Sequence, residues 1–120
     1  MEDLRERTKR FALRIIRMYA ALPKEQVAQV LGKQVLRSGT SIGAHYREAS
    51  RARSDAEFLS KIRLALQELD ETAYWLELLV ESDIVPASRL VDLQVETDEL
   101  LAIFVTIAKK VDEKGEKGRK

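Results

Sequence analysis

The chain has 120 residues, 34% of them charged, with 5 glycines, 2 prolines and no cysteine. That length suits one domain burying roughly 65% of its unfolded surface, and the lack of cysteine excludes a disulfide framework, thiolate metal sites and thiol nucleophiles. The net charge of +1 conceals a division: residues 1–53 carry 12 Lys/Arg against 5 Asp/Glu, residues 54–112 carry 5 against 13, and residues 113–120 carry 4 against 2.

Glycine-poor, charge-rich sequence with long periodic apolar patterns reads as helix. The first segment runs from about Asp3 to Ala21. Its Leu4, Phe11, Ile15, Met18 and Leu22 fall within an arc of about 60° at the helical repeat. Leu22-Pro23 ends it, because the residue before a proline is pushed out of the helical region. The second segment spans about Lys24 to Arg51, with Val27, Leu31, Val35, Ser38, Ile42, His45 and Ala49 on one stripe. Its middle, Ser38-Gly39-Thr40-Ser41-Ile42-Gly43-Ala44, is poor in helix formers, and two glycines there cost about 1 kcal/mol each against alanine. A loop is the alternative, but the stripe continues in phase, so the spacing predicts a helix whose small residues admit a close backbone.

The third segment opens with the capping box Ser54-Asp55-Ala56-Glu57. Phe58, Ile62, Leu66, Leu69, Ala73, Leu76 and Val80 form its apolar face, Glu57 and Lys61 are spaced to pair on its surface, and Ser82-Asp83 ends it. The fourth begins near Pro86, a good first-turn residue. Its core face is Leu90, Leu93, Leu100, Leu101, Phe104, Ala108 and Val111. Four amphipathic helices with short connections predict an all-α, antiparallel up-down four-helix bundle over residues 1–112. Residues 113–120 have nothing to bury and are expected to be a disordered charged tail. Residues 1–10 do not read as a signal peptide, and no apolar run approaches the ~18 residues of a membrane span, so the expectation is a soluble, cytoplasmic protein with no membrane partner.

Several positions exceed what one bundle needs. Leu64, Trp75 and Leu78 point roughly opposite to Ile62 and Leu69, and Leu36 points away from the Val35/Ile42 stripe. A tryptophan flanked by leucines on an outer face marks an interface, so these four are candidate oligomer contacts. Loose packing over a broad apolar face is the plainer reading.

His45, the only histidine, sits on the apolar stripe with no second His or Cys for a metal, and reads as a hydrogen-bonded core residue. Arg37, Ser41 and Glu48 lie on one flank of the second helix, and Arg37 and Glu48 are too far apart to touch. Glu68 and Glu71 are plausible partners for Arg37. Arg37, Ser38, Ser41, His45, Glu48, Glu68 and Glu71 therefore form a candidate buried polar network of structural role. No nucleophile–base pair, glycine-rich phosphate loop or metal-ligand pattern is legible, so no enzyme, cofactor, metal site or small-molecule substrate is expected. Arg7, Arg10, Arg14 and Arg17, spaced 3, 4 and 3, form a basic stripe that suits a phosphate backbone, or simply a solvated face. The basic half as a whole either faces a polyanion or pairs with the acidic half within or between subunits.

The segment Arg37-Ser38-Gly39-Thr40-Ser41-Ile42-Gly43-Ala44-His45 resembles the arginine–serine–(any)–(any)–serine–isoleucine segment of a bacterial four-helix-bundle family. That family includes proteins encoded in intervening sequences of 23S ribosomal RNA genes. Glu48-Ala49, the Ser54-to-Phe58 stretch, Ile62, Ala65-Leu66 and Glu71-Thr72-Ala73-Tyr74-Trp75-Leu76 match in order, so the resemblance covers about residues 5–110. The family often has asparagine where this chain has His45, and a glycine near Ala49.

The resemblance implies a four-helix bundle assembled as a ring, typically a homopentamer. It extends to the accessory variability protein of diversity-generating retroelements, strongly basic rings that bind a reverse transcriptase and its RNA. At +1 this chain is much less basic. The expectation is thus a non-enzymatic, ring-forming protein that acts as an accessory in RNA or ribonucleoprotein binding, with structured RNA or a reverse transcriptase-like protein as partner. The alternative is an oligomeric scaffold with no nucleic-acid role.

Overall fold

The computed structural model describes residues 3–118, and side chains for residues 3–115. Four helices follow one another: α1 (Leu4–Ala20), α2 (Gln26–Ser50), α3 (Asp55–Glu81) and α4 (Ala87–Gly118). Local chemistry explains where they start and stop. The Asp3 carboxylate accepts the Arg5 N–H at 2.9 Å, and the Ser54 hydroxyl accepts the Glu57 N–H at 3.1 Å, each satisfying a donor that the first turn leaves free. The Glu57 carboxylate reaches back to the Arg53 N–H at 3.4 Å. At the end of α3, Asp83 takes a left-handed backbone (φ 62°). Ile84 N–H then bonds the Leu79 carbonyl and Asp83 N–H that of Val80, each within 3.1 Å, so a Schellman turn closes the helix.

The glycine- and hydroxyl-rich middle of α2 is continuous helix. Its hydroxyls do not compete with the helix but bond back onto it: Thr40 donates to the Leu36 carbonyl at 2.7 Å and Ser41 to that of Arg37 at 2.6 Å. The glycines face α1. A Cβ on Gly39 would lie 2.8 Å from Ile15 Cγ1, and one on Gly43 would lie 3.0 Å from Thr8 Oγ1. Gly32 plays the same part a turn and a half from the α2 start, against Leu22 and Tyr19. Alanine would hold α1 away, so glycine's helix penalty is the condition for close contact here.

Helix contacts run in chain order, α1 to α2 to α3 to α4, and the bundle closes through a much thinner α1–α4 contact. The molecule is 56 Å long and 26 by 22 Å across. Phe11, Ile15, Val35, Ile42, Ile62, Leu69, Leu76, Leu90, Leu100 and Phe104 fill its centre, and the Tyr46 ring meets Phe104 edge-on. No helix among the described residues is long and apolar enough to cross a membrane.

Three local expectations differ. Val27 is 62% exposed and Ala28 is buried in its place, because the first turn of α2, which starts at Gln26, directs Ala28 rather than Val27 to the core. Lys61 turns across to Glu48 on α2 rather than along α3 to Glu57. Helix α4 does not stop at Asp112 but runs to Gly118: Asp112 meets Arg63 at 3.1 Å and Lys114 meets Asp55 at 3.4 Å, tying its end to α3. Residues 119 and 120 of the expected tail lie outside the described residues.

Candidate functional site

The four α1 arginines have different fates. Arg7 turns inward to α4, where its Nε and Nη2 donate to the two carboxylate oxygens of Glu96 at 2.8 and 2.7 Å. Glu99 lies 3.5 Å away, and the Arg7 and Glu96 side chains are each only 16% exposed. The bidentate hydrogen bond holds the Glu96 carboxyl below its usual range and the Arg7 guanidinium above its own. Arg7 is therefore committed within the subunit and does not present itself to a phosphate. Arg10 is engaged too, and its charge, like that of Arg14, acts on Glu96. Arg14 and Arg17 make no ion pair among the described residues and border a cleft between α1 and α4.

The candidate polar network is two separate clusters. In one, Arg37 Nη1 donates to Glu68 at 3.1 Å and Nη2 to Glu71 at 3.1 Å, the two acids offered as its candidate partners. Arg37 is not buried, with half its side chain exposed, whereas Glu68 is nearly covered. The Glu71 carboxyl is pushed up, first by its hydrogen bond with Glu68, then by desolvation and by the neighbouring negative charge, against the opposing pull of Arg37. The other cluster centres on Glu48. His45 Nδ1 lies 3.0 Å from Glu48 Oε1, and Lys61 Nζ donates to Oε2 at 3.1 Å. These two bonds, Lys61's first, lower the Glu48 carboxyl. His45 is thus a rim residue paired with a carboxylate, not a core histidine. Ser41 joins neither cluster, because its hydroxyl is spent on its own helix.

Ser38 is fully buried and its partner is one that sequence reasoning missed. The Thr72 hydroxyl donates to the Glu68 carbonyl at 2.7 Å, and the Thr72 and Ser38 hydroxyls lie 2.8 Å apart in the α2–α3 contact. Thr72 falls three residues after Leu69 and four before Leu76, on the core stripe, which was the available signal. Glu96 was missed as well, although an acid in phase with the α4 core face was the natural counterpart to a basic α1.

The candidate oligomer patch is more covered than the helical phases imply. Leu36, Trp75 and Leu78 are half-buried, Leu36 and Trp75 against the core, and Leu64 is 37% exposed. The Trp75 Nε1–H is buried and finds no acceptor among the described residues, while Tyr74 beside it is open to solvent. Other open apolar positions are Leu13 and Ile16 on α1, Val27 and Val30 on α2, and Val91, Val95 and Val105 on one outward stripe of α4. On the α1–α2 side, Lys9 and Arg47 line one shallow cleft over Thr40 and Gly43. Neither makes an ion pair among the described residues, nor do Lys33 and Arg51.

A search among curated proteins finds no match. Among solved structures, the chain is similar to a protein of unknown function from the S23 ribosomal protein family of Bacteroides thetaiotaomicron. The two are 39% identical with a TM-score of 0.84, over 89% of this chain and 99% of that one. The profile of the 23S rRNA-intervening sequence proteins matches residues 3–106. With that span and the fold in agreement, the chain belongs to the 23S rRNA-intervening sequence protein family.

Proposed function

We infer that this is a non-enzymatic accessory protein that associates with copies of itself as a ring and contacts structured RNA through the cations of α1 and α2. The observation that carries the reading is that the charge division outlasts folding. Arg7 and Arg37 are neutralised by acids of α4 and α3, yet Lys9, Lys33, Arg47 and Arg51 remain without ion pairs among the described residues. Such cations attract phosphate without sequence preference, and a ring would repeat individually weak contacts. The exposed valines of α4 and the Leu13/Ile16 pair of α1 supply apolar surface for association. The ribosomal RNA context in the family's name accords with an RNA partner.

A scaffold without nucleic acid is the second reading, favoured by one observation. Asp70, Glu77, Glu81 and Asp98 on α3 and α4 make no ion pair among the described residues, so the cations of one copy can meet the acids of the next head to tail.

One experiment separates the two: light scattering after size exclusion, alongside titration of a structured RNA at about 50 and about 200 mM salt. RNA binding should fall at least about tenfold over that range. It should also fall in a variant with Lys9, Lys33, Arg47 and Arg51 all changed to Gln that still folds. A ring indifferent to RNA would leave the scaffold, and a monomer would overturn both.

A further inference from the structure

The α1–α4 seam widens at one end of the bundle into a cleft of about 490 Å³. Its walls are the last turns of α1, the first turns of α4 and the Ile84-Val85 connection. The floor belongs to the core: Leu22, Val85, Leu90 and Leu93 are each no more than 8% exposed, so packing beneath them holds the surface in place. At the mouth stand Arg14, Arg17 and Arg89 with one acid, Asp92.

Two features ask for an anion. Three guanidiniums without ion pairs among the described residues share the mouth with a single carboxylate. Arg89 also lies in the first turn of α4, which holds no acidic residue, and a cation at that positive helix end is unfavourable unless negative charge comes near. Arg7, seven residues before Arg14 on the same flank, shows the contrast, because Glu96 and Glu99 already neutralise it. Its ion pair also bridges the seam farther along and separates this cleft from the second opening at Leu4, Ile103 and Ile107. The cleft is therefore short, and its volume lies within the roughly 300–1,000 Å³ of small-ligand pockets.

We propose that this cleft binds a small amphiphilic anion, an aliphatic carboxylate, with its tail against Leu22, Leu90 and Leu93 and its headgroup among Arg14, Arg17 and Arg89. Guanidinium is matched to carboxylate by its planar fork of donors. The apolar floor gives the tail a reason to bind that a bare phosphate or an RNA backbone does not use. The site is distinct from the α1–α2 cations of the RNA reading and stands or falls separately.

The test is an NMR titration of the full chain with decanoate below its micelle-forming concentration, with decanol and decyltrimethylammonium in parallel. Saturable shifts confined to Met18, Leu22, Leu90, Leu93 and their neighbours are expected for decanoate. Octanoate should bind roughly tenfold more weakly for the loss of two methylenes. Arg17→Gln with Arg89→Gln, both exposed positions, should keep the fold by circular dichroism and weaken decanoate at least tenfold. Ala21→Trp, at the mouth, should block it independently. No saturable shift, equal binding of the cationic amphiphile, or decanoate binding unchanged in the double variant would each overturn the proposal. So would a second copy that covers the cleft and excludes decanoate at every protein concentration.

Discussion

The two seams that α1 makes with its neighbours are built on opposite principles. Toward α2 the contact is close and apolar: Gly32, Gly39 and Gly43 form a trough that receives Leu22, Ile15 and Thr8. Toward α4 the helices stand apart, joined by the Arg7–Glu96 bridge between two openings. The difference teaches that stability and exposure are separated along a single helix. One flank of α1 closes the core, and the other carries cations into a surface that remains accessible.

The largest expected effect lies in the glycine trough. Gly39→Ala improves helix propensity by about 1 kcal/mol, yet its Cβ meets Ile15, a fully buried β-branched side chain that cannot swing away. Overpacking typically costs about 1–3 kcal/mol, so after the propensity gain a net loss of up to about 2 kcal/mol in urea unfolding is expected. Ile15→Ala alone should cost about 2–5 kcal/mol. In that background Gly39→Ala should become neutral or stabilising, and additive losses would show that the contact is not the cause.

The α1–α4 seam should break more gently. Glu96→Gln leaves Arg7 half-neutralised and is expected to cost about 1–2 kcal/mol, with faster amide exchange in α1 and little change in α2. Its pH dependence has a definite sign. The folded Glu96 carboxyl lies below its usual range, so its contribution is fully present above the ordinary carboxylate pKa. It is lost as pH falls through the lowered value, and the variant should lack that part of the acid transition. Equal exchange rates in α1 of both proteins would show that the bridge does not hold the seam.

The smallest effect belongs to the α2–α3 contact. Glu71 has a raised folded pKa, so the folded chain binds more protons than the unfolded one in the window above the ordinary carboxylate value. Stability should therefore fall slightly as pH rises through that window. Glu71→Gln should abolish this decline while Arg37 keeps Glu68 as its partner, and a decline that persists would place the titration elsewhere.

Much of this was legible in the sequence because helix phase is a local property. Ser54 and Glu57 announced the α3 cap, Leu22-Pro23 the end of α1, and the in-phase Val35, Ser38 and Ile42 carried α2 across its glycines. What failed were inferences about which flank meets which neighbour. Arg7 and Arg17 look alike in a basic stripe, but only Arg7 lies opposite Glu96. Trp75 and Leu36 looked outward by phase and are half-covered, because large side chains lean onto the core edge from flanking positions. Lys61 found Glu48 across the α2–α3 contact, which spacing along either helix does not contain, whereas the His45–Glu48 pair sits three residues apart on α2 and was open to phase reasoning.

By itself the sequence determined four helices, their order, their inward faces and a basic half joined to an acidic half. These follow from periodicity, capping and composition, which act within a few turns of chain. The tertiary structure alone decided which charges are cancelled and which stay open. Neutralisation requires two side chains from distant segments to meet within about 4 Å, and that distance is set by how closely the helix backbones approach. Where glycines let α1 settle onto α2 the surface closed, and where α1 and α4 stand apart Arg7 was cancelled by Glu96 while Arg14 and Arg17 stayed outside any ion pair among the described residues.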